Sequence, residues 1–445
     1  MSRDTFFLAD APPRSGEGEA RRVRCYRRCN PAPWMSDPPG DAGERPGDGS
    51  SSKASLPSLS LHTSSSSANA ETESDLVASV SAELQRTGRQ ILGRHDFRNI
   101  VKLCGLPLYL KYPFFQNVVK NPTRQAVLDF CRRLQRHCGS DRLAKTVYVL
   151  TRGRKSYVEP SDLHDMIQDL IDTHSGLTFL RQVSRSHSVF IDTVIGRLYF
   201  ELGRSWSWRL GLAELRRTDF LDQLDALELH SDFMNVEGAF SYKDAYVIHA
   251  IFNNLDRDND RLLSKADVGK YEKGALVPRA VERVFDLLGC PAMRYVDFVV
   301  FLLAEKDKAH PRSIEYWFSR LDLDGDGVLT MYELEAFFEE QHGRCSLLMT
   351  DLVSFQDVFR QMIDLVKPKS SNMFTLSDLK RCSLASVFFN TFINTYEFIH
   401  HEVFDPFDAD RLRNGSTQWE HFATKKFGML MAEGDKEDSS EDELV

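Results

Sequence analysis

The chain has 445 residues, a formal net charge of −9 and 42% hydrophobic content. That length allows two or more domains, and the acidic balance argues against nucleic acid or an anionic membrane surface as the main partner. No apolar run reaches the length of a bilayer span. The opening "MSRDTFFLADAPPRSGEGEARR" meets acid and proline before any long apolar stretch, so neither a membrane helix nor a secretory signal is expected.

Residues 1–77 are rich in Ser, Pro, Gly and Arg and lack apolar periodicity, which predicts a disordered tail with a basic cluster, "RRVRCYRRC", at 21–29. From 78 to 432 the pattern is helical. "VIHAIFNNL" sets Ile248, Ile251, Phe252 and Leu255 on one helix face, and "VERVFDLL", "IEYWFSRL" and "FQDVFRQM" repeat that spacing with Val281, Ile314 and Phe355 as first members. Each such helix runs into a polar loop, a short β-like step and another helix, which is an internal helix–loop–helix repeat. The expected divisions are 78–235, an N-terminal helical part with degenerate units; 236–305 and 306–432, two pairs of units; and 433–445, an acidic disordered tail. The eight cysteines are scattered and form no CxxC pair, which suits reduced thiols in the cytoplasm or nucleus.

Two loops carry metal chemistry. Calcium takes six to eight hard oxygens, and a twelve-residue loop supplies them from positions 1, 3, 5, 7, 9 and 12. In "DLDGDGVLTMYE" these are Asp322, Asp324, Asp326, the carbonyl of Val328, Thr330 through water, and Glu333 with both oxygens. Gly327 at position 6 permits the sharp turn. In "DRDNDRLLSKAD" the corresponding residues are Asp256, Asp258, Asp260, the carbonyl of Leu262, Ser264 and Asp267. Here Arg261 replaces the glycine, at a cost of about 1–2 kcal/mol for a left-handed Cβ-bearing residue. Asp267 is one methylene shorter than Glu, and Arg257, Arg261 and Lys265 oppose a cation. This loop reads either as a weaker site or as a lost one kept for its helices.

Three further stretches, 203–214, 286–297 and 367–378, keep the rhythm without the ligands. The 286–297 and 367–378 loops lie 30 and 45 residues after the acidic ones, so each calcium loop is expected to pair with a ligand-free one through a small β contact. The predicted fold is therefore all-α: tandem EF-hand units, two calcium-competent, each paired with a degenerate unit. GxxxxGK[ST], HExxH and GxSxG are missing, and the adjacent His400 and His401 face different ways on a helix, so a binding or regulatory protein is expected rather than an enzyme.

"LIDTHSGLTFL" (170–180), "GRSWSWRLGLAELRRTDFL" (203–221), "AHPRSIEYWFSRLDLDGDGVLTMYELEAFFEEQ" (309–341), "SFQDVFRQMIDLVKP" (354–368) and "TLSDLKRCSLASVFFNTFINTYEFIHHE" (375–402) resemble the B-double-prime regulatory subunits of protein phosphatase 2A, from about residue 90 to 432. The resemblance implies a chain that binds a helical-repeat scaffold subunit and the phosphatase catalytic subunit as a heterotrimer, recruits phosphoprotein substrates and uses calcium to tune assembly. It also implies that Asp256, Asp258, Asp260 and Asp267 are ligands despite Arg261, because the family tolerates both departures in its first loop. The alternatives are a free calcium sensor opening a groove for target helices, for which a methionine-lined face is wanting, and a purely structural calcium protein.

Overall fold

In a computed structural model of the protein, the residues described are 66–89, 91–118, 122–346, 353–370, 372–403 and 417–441. Helices dominate. Among the described residues the strands are six short steps: β1 (Tyr157–Val158), β2 (Leu210–Gly211), β3 (Leu262–Ser264), β4 (Ala292–Arg294), β5 (Val328–Thr330) and β6 (Met373–Thr375). They form three antiparallel ladders, β1–β2, β3–β4 and β5–β6. Among the described residues no helix is long and apolar enough to cross a membrane.

The structure differs from the expected tails at both edges. A helix covers Ser66–Thr87, starting inside the segment read as tail. Its alanines and glutamates favour helix, and Val80 and Leu84, at i and i+4, are buried. At the other end a helix covers Gln418–Glu441, running into the acidic segment. Residues 1–65 and 442–445 lie outside the described residues.

Among the described residues, contacts form two units, one within 66–169 and 204–225, the other within 170–203 and 226–441. The expected boundary between 235 and 236 thus falls inside the second unit, because the helix Ser184–Leu202 packs against Tyr242–Leu255 and Tyr295–Lys306.

In the first unit, helices Phe97–Leu103, Lys111–Val118, Arg124–Cys138 and Arg142–Leu150 surround Phe97, Phe114 and Phe130, with Phe114 and Phe130 edge to face at 4.7 Å. Asp169 is fully buried there. The Lys111 ammonium at 2.5 Å and the Arg94 Nε at 2.7 Å donate to its carboxylate, compensating the charge.

The second unit contains two pairs of helix–loop–helix units. In the first, Tyr242–Leu255 leads through residues 256–264 into Lys265–Val268, and Pro278–Leu288 leads into Tyr295–Lys306. In the second, Pro311–Leu321 leads into Met331–Cys345, and Phe355–Val366 into Leu376–Arg381. Pro278 and Pro311 each open a helix, where a missing N–H costs nothing. Each pair is joined by its ladder at buried apolar residues, Leu263 opposite Met293 and Leu329 opposite Phe374. The apolar face of the first pair is covered from within the unit. Gly196 of the helix Ser184–Leu202 approaches so closely that a Cβ there would lie 2.9 Å from Val299 Cγ1. The Trp419 indole of the C-terminal helix donates to Asp244 at 2.9 Å, and Phe427 meets Tyr246 edge to face at 5.6 Å.

Candidate metal centres

The 322–333 loop is organised around Asp322, at the C-terminus of its incoming helix and 2% exposed. Its two carboxylate oxygens accept from the N–H groups of Gly325 at 2.7 Å and Gly327 at 3.0 Å. Those glycines adopt φ of 77° and 85°, which is the conformation their lack of a Cβ makes cheap. Asp324 accepts from the Asp326 N–H, and Asp326 from Val328 N–H at 2.9 Å. Glu333, in the first turn of the outgoing helix, reaches back with both oxygens. One accepts from Leu323 N–H at 2.7 Å, the other from Thr330 N–H at 2.8 Å and the Thr330 hydroxyl at 2.9 Å. Ligand oxygens of Asp322, Asp324 and Glu333 converge within 4.8 Å of one another. Burial, and then the neighbouring carboxylates Glu333 and Asp326, push the Asp322 carboxyl above the usual range. Converging, partly desolvated anions of this kind fit a hard divalent cation, which would relieve the repulsion and take the place of the lost water.

The 256–267 loop begins the same way. Asp256 is 4% exposed and accepts from Asp260 N–H at 3.2 Å and Arg261 N–H at 2.9 Å. Arg261 takes φ 66° and Asn259 φ 56°, so two side-chain-bearing residues adopt the conformation that glycines take in the other loop. Asp256, Asp258 and Asp260 converge within 4.8 Å, and burial together with the two neighbouring aspartates raises the Asp256 carboxyl. Asp267 does not join them. One of its oxygens takes the Ser264 hydroxyl at 2.5 Å and the other the Lys270 ammonium at 3.0 Å, and these bonds, that of Ser264 first, hold it below the usual carboxylate range. Asp326 also stands outside its own loop's converging group. Val328 and Leu262, expected to contribute carbonyls, lie at the first residues of β5 and β3.

The sequence reading of 203–214, 286–297 and 367–378 identified loops without ligands, and the structure pairs the latter two with the acidic loops as β4 and β6. It missed a loop at 151–162, "TRGRKSYVEPSD", whose Tyr157 and Val158 pair with Gly211 and Leu210 of the 203–214 loop. Position 5 of that loop is Lys155. Its ammonium bridges the carboxylates at positions 9 and 12, Glu159 and Asp162, each at 2.7 Å. Although burial works the other way, these two carboxylates raise the Lys155 pKa. In the partner loop, Glu214 at position 12 accepts from Arg204 N–H and Gly211 N–H, the closure that Glu333 makes, but no other carboxylate stands in that loop.

An EF-hand domain model matches residues 141–230, covering the missed loop, and a model described as an EF-hand domain pair matches residues 245–339. EF-hand domains in general bind calcium. The chain is 33% identical to the delta member of the mouse (Mus musculus) B'' regulatory subunits of serine/threonine-protein phosphatase 2A, over 93% of this chain and 84% of that protein. It is 38% identical to the human (Homo sapiens) alpha member of the same B'' group over 76% of this chain, spanning only 31% of that longer protein. A solved chain described as PP2A PR70 holoenzyme superposes with a TM-score of 0.56 at 42% identity, covering 59% of this chain and 99% of that one. The chain belongs to the B-double-prime family of regulatory subunits of serine/threonine-protein phosphatase 2A.

Proposed function

We propose that the protein is a calcium-binding, non-catalytic subunit that joins a helical-repeat scaffold subunit and a phosphatase catalytic subunit and directs which phosphoproteins are dephosphorylated. The reading rests on the relationship to the B'' family and on the solved relative, described as part of a holoenzyme. In the 322–333 loop Asp322, Asp324, Asp326, the Val328 carbonyl and Glu333 would hold one calcium ion. In the 256–267 loop Asp256, Asp258, Asp260, the Leu262 carbonyl and Asp267 would hold a second, weaker one. The ion supplies fixed positive charge that locks loop and helix directions, and this chain's residues supply the oxygen cage.

The observation favouring a subunit over a free sensor is the covered face of the first pair. A sensor opens an apolar groove for a target helix. Here Ser184–Leu202 and Trp419 already fill that face. The experiment is co-purification of the full chain with scaffold and catalytic subunits, with calcium or chelator, followed by phosphopeptide hydrolysis. Retention of both subunits and altered hydrolysis support the reading. Failure to retain either, with calcium still bound, would leave a structural calcium protein. Cytoplasmic or nuclear placement goes with this role, and imaging of the tagged full chain tests it.

A further inference from the structure

We propose that the two calcium loops are coupled through the helix Pro278–Leu288, with Arg283 as the positioning residue that carries the coupling. The inference rests on the reading of both loops as calcium sites.

The helix touches both loops. At one end of the route, Lys265, position 10 of the 256–267 loop, lies 3.6 Å from Glu282. The helix also leads into β4, which is hydrogen-bonded along its length to β3 of that loop. At the other end, the next residue, Arg283, spreads its guanidinium over the last carbonyls of the incoming helix of the 322–333 loop. Nε donates to Arg320 O at 3.1 Å, and Nη2 to Ser319 O at 3.4 Å and Asp322 O at 2.6 Å. A helix C-terminus leaves such carbonyls without intrahelical partners, so a cation there is both capping group and dipole partner. Asp322 is the first residue of the 322–333 loop and its most buried aspartate. Arg283 therefore holds the backbone of a residue whose side chain lies among the converging carboxylates.

The outgoing helix of the second loop fixes the same segment from its other side. Glu340 accepts from Arg279 N–H at 2.8 Å in the first turn of Pro278–Leu288. Arg344 donates to Leu276 O at 2.7 Å and to Gly274 O. Those carbonyls lie just after Glu272 and Lys273, two side-chain-bearing residues with φ of 47° and 60° that the chain must adopt on leaving the first loop. Conformations of this sort persist where the surroundings over-determine them. Fixing Asp322 by an ion thus fixes Arg283, the helix, β4 and β3. The first loop then starts nearer its bound arrangement and loses less conformational entropy when it binds.

By linkage the effect is reciprocal, and couplings of this class change affinity about five-fold or more. The test is calcium titration, by calorimetry and chelator competition, of the full chain, Glu333→Gln and Asp258→Ala, each with and without Arg283→Met. The first loop, read in Glu333→Gln, should bind about five-fold more weakly than in the unaltered chain. With Arg283→Met that difference should vanish, while Arg283→Lys, which can still reach a carbonyl, retains part of it. Hydrogen exchange, at calcium concentrations that saturate the second loop in each variant, gives a readout that a general loss of affinity would not move. In Asp258→Ala, calcium at the second loop alone should slow exchange of the Leu262–Ser264 amides, and adding Arg283→Met should abolish that slowing. Equal first-loop affinity with the second loop intact or disabled overturns the coupling, as does coupling that survives Arg283→Met. If no variant, nor the unaltered chain, binds calcium, the reading of the loops as calcium sites fails instead.

Discussion

Replacing Lys155 by methionine should destabilise the N-terminal EF-hand pair and make it responsive to calcium, which the unaltered pair should not be. The ammonium sits 2.7 Å from both Glu159 and Asp162, whose side chains are 26% and 15% exposed. Methionine keeps most of the aliphatic stem and removes the charge. Two carboxylates that shared one nitrogen are then left within about 5 Å of each other. At an effective dielectric of about 20–40 their repulsion is about 2–3 kcal/mol. Rotation of Glu159 toward solvent, and toward Arg209 at 3.7 Å, relieves part of it, leaving a net loss of about 2 kcal/mol. That corresponds to a fall of about 4–8 °C in the thermal transition of a unit of this size. Calorimetry and hydrogen exchange at Tyr157, Val158, Leu210 and Gly211 read it. Millimolar calcium should restore part of the loss in Lys155→Met, because the bare carboxylates at positions 9 and 12 accept a hard cation, and should leave the unaltered ladder unchanged. An unchanged transition in Lys155→Met would refute the idea that the ammonium holds the carboxylates of Glu159 and Asp162 together.

Other outcomes follow from the same geometry. Calorimetry should find the 322–333 loop binding calcium with a dissociation constant of about 10⁻⁷–10⁻⁵ M; Glu333→Gln should remove this tighter site, and Asp256→Ala the weaker one. Trp419→Ala should cost about 3–5 kcal/mol of stability in denaturant unfolding, since the indole is 4% exposed and its loss leaves Asp244 without that donor. His310 stacks on Phe200 and accepts from Arg312 N–H at 3.2 Å, and burial lowers its pKa to about 4. Between that value and 6.5 the unfolded chain binds more protons, so stability is complete above about pH 6.5 and is lost as pH falls toward 4, by about 2–3 kcal/mol from this residue. His310→Asn keeps an acceptor that does not titrate, and denaturant midpoints across that window should lose this part of their pH slope.

The acidic rhythm at 256–260 and 322–326 was legible because carboxylates at positions 1, 3 and 5 have few other reasons to recur beside amphipathic helices. The pairing with 286–297 and 367–378 was legible too, since position 8 stays apolar in each. The 151–162 loop was not, because Thr151, Gly153 and Lys155 occupy the ligand positions. Val158, Glu159 and Asp162, at positions 8, 9 and 12, keep the loop's outline, which is too little signal without a fold to hang it on. The contact of Arg283 with Asp322, 39 residues apart, leaves no mark in local periodicity. The helix Ser66–Thr87 was hidden by the serine-rich composition before it, although Val80 and Leu84 carried its apolar face.

The same distinction decides what limits the first loop. From the sequence its weakness lay in Arg261, Asp267 and three basic residues. The structure adds Lys270, one turn beyond Asp267 on the outgoing side, and its ammonium holds an oxygen that calcium would need. The ion must therefore break a pair before it gains a ligand. Lys270 is 51% exposed at its side chain, so the pair contributes only about 0.5 kcal/mol after solvent screening. Removing a nearby positive charge also lowers long-range repulsion of the incoming cation by a similar amount. Lys270→Met should accordingly tighten the first loop about two- to five-fold and leave the second unchanged, apart from what the coupling returns. Asp267→Asn should weaken it by more than Lys270→Met strengthens it, because a neutral amide cannot replace the carboxylate once the lysine has moved away. Calorimetry in the Glu333→Gln background isolates the first loop. If Lys270→Met leaves its affinity unchanged while Asp267→Asn abolishes binding, the lysine never competes, and Asp267 turns inward at no cost. If both are silent, the loop binds through Asp256, Asp258 and Asp260 alone.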